Sequence, residues 1–333
     1  MKKLALVILA TVLGVSASAQ GKYGKDSAEC IKYLSYYSEY VKQNNLVEAA
    51  PFWRTAMSLC PPTANQNLLI NGQKILRREV VNEKDPSRRQ QLIDSLLWLN
   101  DIRAEYYPKY FNKALDNKAI DIINFYKGDK QAGYGMLDGI VSKIGGDCSP
   151  AVYVNYLQYA VDLYKEQKMS ADDVLACYTR IAGYLDGSKR ADVASARSGV
   201  EQVFIDSGVA SCDNLVALYT PRYESAASDK ALLTNMVTML SKSECFDTEI
   251  YLKAVESLYA VDPSAKSAYF LYKLYSSRDK NESAAKALSE AIGMLDRTKA
   301  EDIATIADYS MELATFYFKK LGHGDWSADS RRW

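Results

Sequence analysis

Residues 30–61 read CIKYLSYYSEYVKQNNLVEAAPFWRTAMSLCP, and this stretch decides the fold of the 333-residue chain. Two amphipathic runs meet at Gln43–Asn45, and one cysteine stands at each outer end. The second run has a small–large–small spacing followed by a proline, at Ala49, Trp53, Ala56 and Pro61. Small residues let two helices approach closely, a large one fills the groove between them, and proline ends the run. The stretch therefore predicts an antiparallel helix pair.

Cysteine placement predicts how such pairs are closed. The chain has six cysteines, at Cys30, Cys60, Cys148, Cys177, Cys212 and Cys245. Cys30–Cys60 and Cys212–Cys245 each join the outer ends of two consecutive helical runs, which are neighbours in an antiparallel pair. Each bond would close a loop of about 30 residues and stabilise the fold by about 3–4 kcal/mol. For Cys148 and Cys177 two alternatives stay open, a third bridge or two buried thiols.

The N-terminus has the pattern of a cleaved signal peptide over residues 1–19. Lys2-Lys3 precede an apolar run, Leu4–Val15, and Ala17-Ser18-Ala19 is a small-residue cleavage site that leaves Gln20 first. An apolar run of this length is too short for a membrane anchor, and no cysteine follows it for lipid attachment. We expect an exported protein, periplasmic or secreted, without membrane insertion after cleavage.

The rest of the chain predicts an all-α protein. Fifteen amphipathic runs follow one another between about residues 26 and 321. The small–large–small spacing of the first pair recurs late in the chain, with Leu271 and Tyr275 on one run and Ala284, Leu288 and Ala291 on the next. Pairs of this kind cannot bury their apolar faces alone and must stack on one another.

These residues resemble the tetratricopeptide-repeat family, and the whole chain is similar to exported helical-repeat proteins of Gram-negative anaerobes. The resemblance implies a right-handed superhelical solenoid of stacked antiparallel helix hairpins over residues 20–333. It also implies a protein that binds peptides or protein partners and is not an enzyme. First helices line the binding groove in that family, which places Leu34, Ser38, Val41 and Lys42 in the groove. It places Tyr33, Tyr37 and Tyr40 towards the core.

Composition disfavours most catalytic sites. The chain has one histidine, His323, which disfavours histidine-based acid–base catalysis, Ser-His-Asp triads and multi-histidine metal sites. We expect no cofactor, and carboxylate-only catalysis is the one enzymatic alternative left open. Lysines and arginines number 41 against 41 acidic residues, and removing Lys2 and Lys3 gives 39 against 41, a net charge of −2. A near-neutral chain offers no basic surface for nucleic acid.

The C-terminus departs from the repeat pattern. Residues 299–321 read as a first helix, but residues 323–333 have no apolar period for a second one. Either this tail caps the last helix with Trp326 and Trp333, or the chain is incomplete, which we favour slightly. An uncapped last helix would promote self-association.

These features together predict a non-catalytic scaffold that holds a protein or peptide partner at the cell envelope. The runner-up is a carrier of a glycan or another small ligand in a groove lined by some of the 25 tyrosines.

Overall fold

The structure is a computed structural model that describes residues 21–186 and 188–321. The predicted signal peptide, residues 1–19, and the C-terminal tail with His323, Trp326 and Trp333 lie outside the described residues. Regular structure in the described residues consists of fifteen α-helices and three short helical turns, with no strand. The all-α class predicted from the sequence is confirmed.

The helices follow one another with short connections. In chain order they are α1 (Ser27–Lys42), α2 (Leu46–Leu59), α3 (Gln66–Asn82), α4 (Pro86–Tyr106), α5 (Phe111–Phe125), α6 (Lys130–Ile144), α7 (Pro150–Lys165), α8 (Ala171–Leu185), α9 (Val193–Asp206), α10 (Cys212–Ala226), α11 (Lys230–Lys242), α12 (Glu249–Val261), α13 (Ala265–Ser277), α14 (Asn281–Gly293) and α15 (Ala300–Phe316). The short turns are Pro108–Tyr110, Gly145–Asp147 and Tyr317–Leu321.

Polar residues stand at the start of many of these helices. The Asn45 side chain accepts a hydrogen bond from the backbone N–H of Glu48 at the start of α2. Ser170 and Asp173 form a reciprocal capping box at the start of α8. Pro86 occupies the first position of α4, where its missing N–H costs no helical hydrogen bond. Such caps satisfy N–H groups that the helix itself leaves without acceptors.

The chain divides into two compact units, and each is described by itself. Unit 1 comprises the described residues through Tyr159, and unit 2 those from Ala160. In unit 1, each of the helices α1 to α5 packs on the next helix in the chain. In unit 2, α8 packs on α9, and each of the helices α10 to α14 packs on the next one. Both units are therefore built from helices stacked in chain order.

The first helix pair has the predicted hairpin form. The chain reverses at residues 43–45, where Asn44 adopts a left-handed backbone conformation with φ of 56°. A disulfide joins Cys30 to Cys60, with the two Cα atoms 5.2 Å apart. Because this bond links the start of α1 to the end of α2, the two helices are antiparallel. Ala49 and Ala56 are fully buried in the pair.

Trp53 connects the first pair to the next helix. Its indole Nε1 donates a hydrogen bond to the backbone oxygen of Leu68, at 2.9 Å. The ring lies against Gly72 of α3, where an added Cβ would stand only 2.5 Å from the indole. Glycine is therefore required at position 72, because any side chain there would displace Trp53.

A second disulfide, Cys212–Cys245, closes the pair of α10 and α11 in unit 2, with Cα atoms 5.4 Å apart. Cys148 and Cys177 are buried thiols in the structure. Of the two alternatives open for these residues, the structure has the buried thiols and not the third bridge. The two bonds thus join cysteines at the outer ends of consecutive helices, as predicted.

Two aspects of the architecture stay predictions. They are the right-handed superhelical path and the single continuous domain over residues 20–333. Among the described helices, none combines the length and the apolar character needed to cross a lipid bilayer.

Candidate functional site

An exposed group of aromatic rings lies on the first helix pair. Three tyrosines of α1, Tyr33, Tyr36 and Tyr40, surround Phe52 of α2. The Tyr40 and Phe52 rings stack with centroids 5.5 Å apart, and Tyr36 meets Phe52 edge-on at the same distance. Tyr36 is 46% exposed, and the other three are partly exposed. We call these four residues the aromatic cluster.

Helix geometry explains why this cluster reaches the surface. At about 100° per residue, positions 33, 36 and 40 fall within about 60° of one another on α1. Cys30, Leu34 and Tyr37 form the buried face of the same helix. The prediction that three tyrosines face the core is therefore right for Tyr37 and wrong for Tyr33 and Tyr40. Those two lie on the flank, where they pack against Phe52 and keep an edge in solvent.

The four predicted groove residues differ in accessibility. Leu34 is 8% exposed, so its side chain is part of the core in this structure. Ser38 and Val41 are partly exposed, and Lys42 is exposed with its Nζ 3.7 Å from the carboxylate of Glu39. These last three can reach a partner without rearrangement. Their role in a groove stays a prediction.

An open pocket of unit 2 lies among α12, α13 and α14, with a volume of about 370 Å³. Tyr259 of α12 and Tyr275 of α13 line it, and buried Leu271 contributes apolar surface. Two carboxylates, Glu256 and Glu290, and one ammonium group, Lys286, also line it. The volume suits a side chain or a monosaccharide, since it is near the lower end of the range for ligand pockets.

Hydrogen bonding orders one side of this pocket. The Tyr259 hydroxyl donates a hydrogen bond to Oε1 of Glu290. The same bond raises the pKa of the Tyr259 hydroxyl, because removing its proton beside a carboxylate is unfavourable. Lys280 places its Nζ 5.9 Å from the centroid of the Tyr275 ring, a cation–π distance. The pocket thus combines a fixed carboxylate with aromatic rings.

Unit 1 buries a carboxylate, that of Asp121 on α5. Arg77 of α3 donates to both of its oxygens, at 2.6 and 3.0 Å, and Asn100 of α4 donates to one of them at 3.2 Å. Burial raises the pKa of Asp121, and the hydrogen bonds and charge of Arg77 oppose that effect. This group joins three consecutive helices.

Unit 2 buries a carboxylate in a different setting, that of Glu201 on α9. The Asn235 amide of α11 donates to it, and the Tyr219 hydroxyl of α10 donates to the Asn235 oxygen at 2.8 Å. The Tyr178 hydroxyl lies 3.4 Å from that of Tyr219. Burial raises the pKa of Glu201, while Arg197 and the Asn235 amide oppose it. These hydrogen bonds link α9, α10 and α11.

Neither Asp121 nor Glu201 lines the unit 2 pocket. Within residues 21–186 and 188–321, no group of three or more histidine, cysteine, aspartate or glutamate side chains is placed to hold a metal ion. The exposed aromatic cluster and the pocket offer a ligand ring faces, hydroxyls and carboxylates.

The last helix, α15, exposes apolar side chains, among them Ile303 and Met311. Its inner side is tied to α13 by Glu312, which accepts hydrogen bonds from Tyr269 at 2.9 Å and from Lys273 at 2.6 Å. The predicted self-association through this end of the chain stays a prediction.

Sequence reasoning missed Phe52 and the pocket. Phe52 precedes Trp53, so it lies about 100° round the helix from the buried indole, on the flank shared with α1. This angular offset from Trp53 is a signal in the sequence that places Phe52 beside α1. The sequence contains no comparable signal for the pocket. Its lining comes from three helices, and helical periodicity does not specify how far apart those helices lie.

Comparison with known proteins gives a likeness among solved structures. No protein-family model matches the chain, and no curated protein matches it. Among solved structures, the chain is similar to a tetratricopeptide repeat protein from Parabacteroides merdae at 14% identity. The match covers 85% of this chain and 99% of that one, with a TM-score of 0.35. The description of the fold therefore rests on the helix pairs and contacts of the chain itself.

Proposed function

We propose that this protein is a non-catalytic binding protein of the cell envelope that holds a protein or peptide partner. The observation that carries the proposal is the aromatic cluster. Tyrosine and phenylalanine supply large contact area at low conformational cost, and buried aromatic anchors dominate binding energy at protein interfaces. Four such rings, already packed on one another, lose little further freedom on binding.

The helix pair beneath the cluster supports this use. The Cys30–Cys60 bond joins the outer ends of α1 and α2, so the cluster stands on a cross-linked hairpin. Trp53 fastens the same hairpin to α3. A binding surface on such rigid elements keeps its geometry better than one on loops.

The compartment is part of the proposal. Disulfides form and persist in the periplasm and outside the cell, and residues 1–19 have the pattern of a cleaved signal peptide. We place the mature chain, from Gln20, in the periplasm or outside the cell.

Site-specific photo-crosslinking in the producing cell tests the proposal. A photoreactive phenylalanine analogue at position 36 is expected to capture a reproducible protein partner. Tyr106 of α4 is the matched control, since it is a tyrosine of the same unit with 41% exposure against 46% for Tyr36. The analogue at position 106 should capture far less of that partner, and Phe52→Ala should weaken the capture at position 36.

Two results would contradict the proposal. One is equal capture at positions 36 and 106, which would show that the cluster has no special role. The other is a carbohydrate as the only molecule that co-purifies with the protein, which would favour the glycan carrier. Location is checked separately, by sequencing the N-terminus of the exported protein, which should begin at Gln20.

A further inference from the structure

We propose that the unit 2 pocket binds the guanidinium group of an arginine side chain presented by a peptide. The pocket lies among α12, α13 and α14 and is separate from the four predicted groove residues on α1. The inference rests on the proposed function in one respect only, the assumption that the arginine belongs to a peptide ligand. It can be tested with a purified ligand, so it can fail or succeed independently of any cellular partner.

Charge favours a cation at this site. Glu256 and Glu290 line the pocket from α12 and α14, against the single ammonium group of Lys286. Among the described residues, neither carboxylate has an ion-pair partner within 4.0 Å. A cationic group entering between them would supply the counter-charge that they lack.

The fixed carboxylate favours a planar cation. Tyr259 donates to Oε1 of Glu290, which leaves Oε2 and the remaining lone pair of Oε1 for a ligand. Guanidinium presents parallel N–H groups that match the two oxygens of a carboxylate. An ammonium group has no such fork, so lysine should bind more weakly than arginine.

Aromatic and apolar surfaces complete the fit. The Tyr259 and Tyr275 rings line the pocket together with Leu271. Guanidinium stacks on aromatic faces, and the methylene groups of arginine pack on apolar surface. Lys280 lies 5.9 Å from the Tyr275 centroid, at the long end of the cation–π range. A pocket of about 370 Å³ holds one such side chain.

The probe is the blocked tripeptide acetyl-Gly-Arg-Gly-amide, titrated into the full-length mature protein and followed by calorimetry and by chemical shifts of isotope-labelled backbone amides. The reference ligand is the same peptide with citrulline, which keeps the shape of arginine and removes its charge. We expect the arginine peptide to bind at least about tenfold more tightly than the citrulline peptide. The shifted amides should lie on α12 and α14.

Matched variants locate the effect. Glu290→Gln and Glu256→Gln should each weaken binding of the arginine peptide several-fold, whereas Lys286→Gln, which removes the opposing ammonium group, should strengthen it. Glu282→Gln is the control, because Glu282 is an exposed glutamate of α14 outside the pocket lining. It should bind the peptide as the unmodified protein does.

Equal binding of the arginine and citrulline peptides would overturn the proposal, and this comparison needs no variant to fold. So would an unchanged affinity in both Glu290→Gln and Glu256→Gln. If galactose shifts the pocket amides while the arginine peptide does not, the pocket is a sugar site and the proposal is wrong.

Discussion

Two buried carboxylates, Asp121 in unit 1 and Glu201 in unit 2, have opposite kinds of partner. Asp121 in unit 1 has a cation, Arg77, that donates to both of its oxygens. Glu201 in unit 2 has a neutral amide, Asn235, backed by two tyrosine hydroxyls. Asp121 thus accepts hydrogen bonds from a cation, whereas the hydrogen bond to Glu201 comes from a neutral amide. Replacing the carboxylate by an amide should therefore have opposite consequences in the two units.

The two disulfides give a reference for this comparison, because each unit has one and their sequence separations are 30 and 33. Replacing Cys30 and Cys60 by alanine should lower the free energy of unfolding of unit 1 by about 3–4 kcal/mol. Replacing Cys212 and Cys245 should lower that of unit 2 by the same amount. Denaturant titration read by hydrogen exchange, on α1–α2 and on α10–α11, measures both.

Similar losses would show that the units respond alike to a similar perturbation. A difference above about 2 kcal/mol would mean that the unfolded chains differ in residual structure, and the disulfides would then be no reference.

Asp121→Asn should be the next largest change, a loss of about 2–3 kcal/mol in unit 1. Removing one partner of a buried pair leaves the other charge uncompensated, at a cost of about 3–5 kcal/mol when both are buried. The loss is smaller here because the Arg77 side chain is 35% exposed. Asp101→Asn is the control, since Asp101 pairs with Lys118 at the surface and should cost under about 1 kcal/mol.

Asn235→Leu should cost unit 2 about 1–3 kcal/mol. The substitution removes the donor to Glu201 and the acceptor of Tyr219, and it leaves both of these buried groups without their partners. Tyr219→Phe is the milder comparison, because it removes one hydroxyl and keeps the ring. Hydrogen exchange of α9 and α11 checks both variants, and equal effects would mean that the Glu201 contact contributes nothing.

Glu201→Gln should raise the free energy of unfolding of unit 2 by up to about 1 kcal/mol at neutral pH. Glutamine keeps an oxygen for the Asn235 amide and removes a charge that burial disfavours. This sign is opposite to that expected for Asp121→Asn. A destabilisation as large as that of Asp121→Asn would break the comparison and show that the Glu201 charge is needed.

The pH dependence of the stability of unit 2 gives a second test of the Glu201 charge. The folded pKa of Glu201 lies above its ordinary value of 4.5, so the folded state binds the proton more tightly than the unfolded state does. The stability that comes from this proton is present below pH 4.5 and is lost as the pH rises through the folded pKa. Unfolding free energies of unit 2 measured between about pH 4 and pH 8 should fall with pH, less so in Glu201→Gln.

The helices and both disulfides could be predicted because their signals are local. Helical periodicity and caps such as Ser170 operate within a few residues. Each cysteine pair follows from two consecutive helices with their outer ends together. The partner of Asp121 could not be predicted, because Arg77 is 44 residues away and a lone aspartate in a helical run reads as a surface residue. Glu201 and Asn235, 34 residues apart, were hidden for the same reason.

The candidate site was less predictable than the fold. The family resemblance placed the tyrosines of α1 by register alone, which is correct for Tyr37. The position of Tyr33 and Tyr40 depends on how far Phe52 of α2 fills the flank, and that depends on how the two helices pack. Positions on the flank of a helix are therefore the ones at which burial is hardest to predict from the sequence register.

The packing of Trp53 against Gly72 makes the intrinsic fluorescence of this residue a probe of the structure. The chain has four tryptophans, Trp53, Trp98, Trp326 and Trp333. Trp53 is buried with its N–H bonded to a carbonyl, whereas Trp98 is 52% exposed. With the other three replaced by phenylalanine, the remaining emission would come from a single indole clamped between α2 and α3. The wavelength of its emission maximum and its resistance to iodide quenching would then report, in real time, whether the first hairpin is packed against α3.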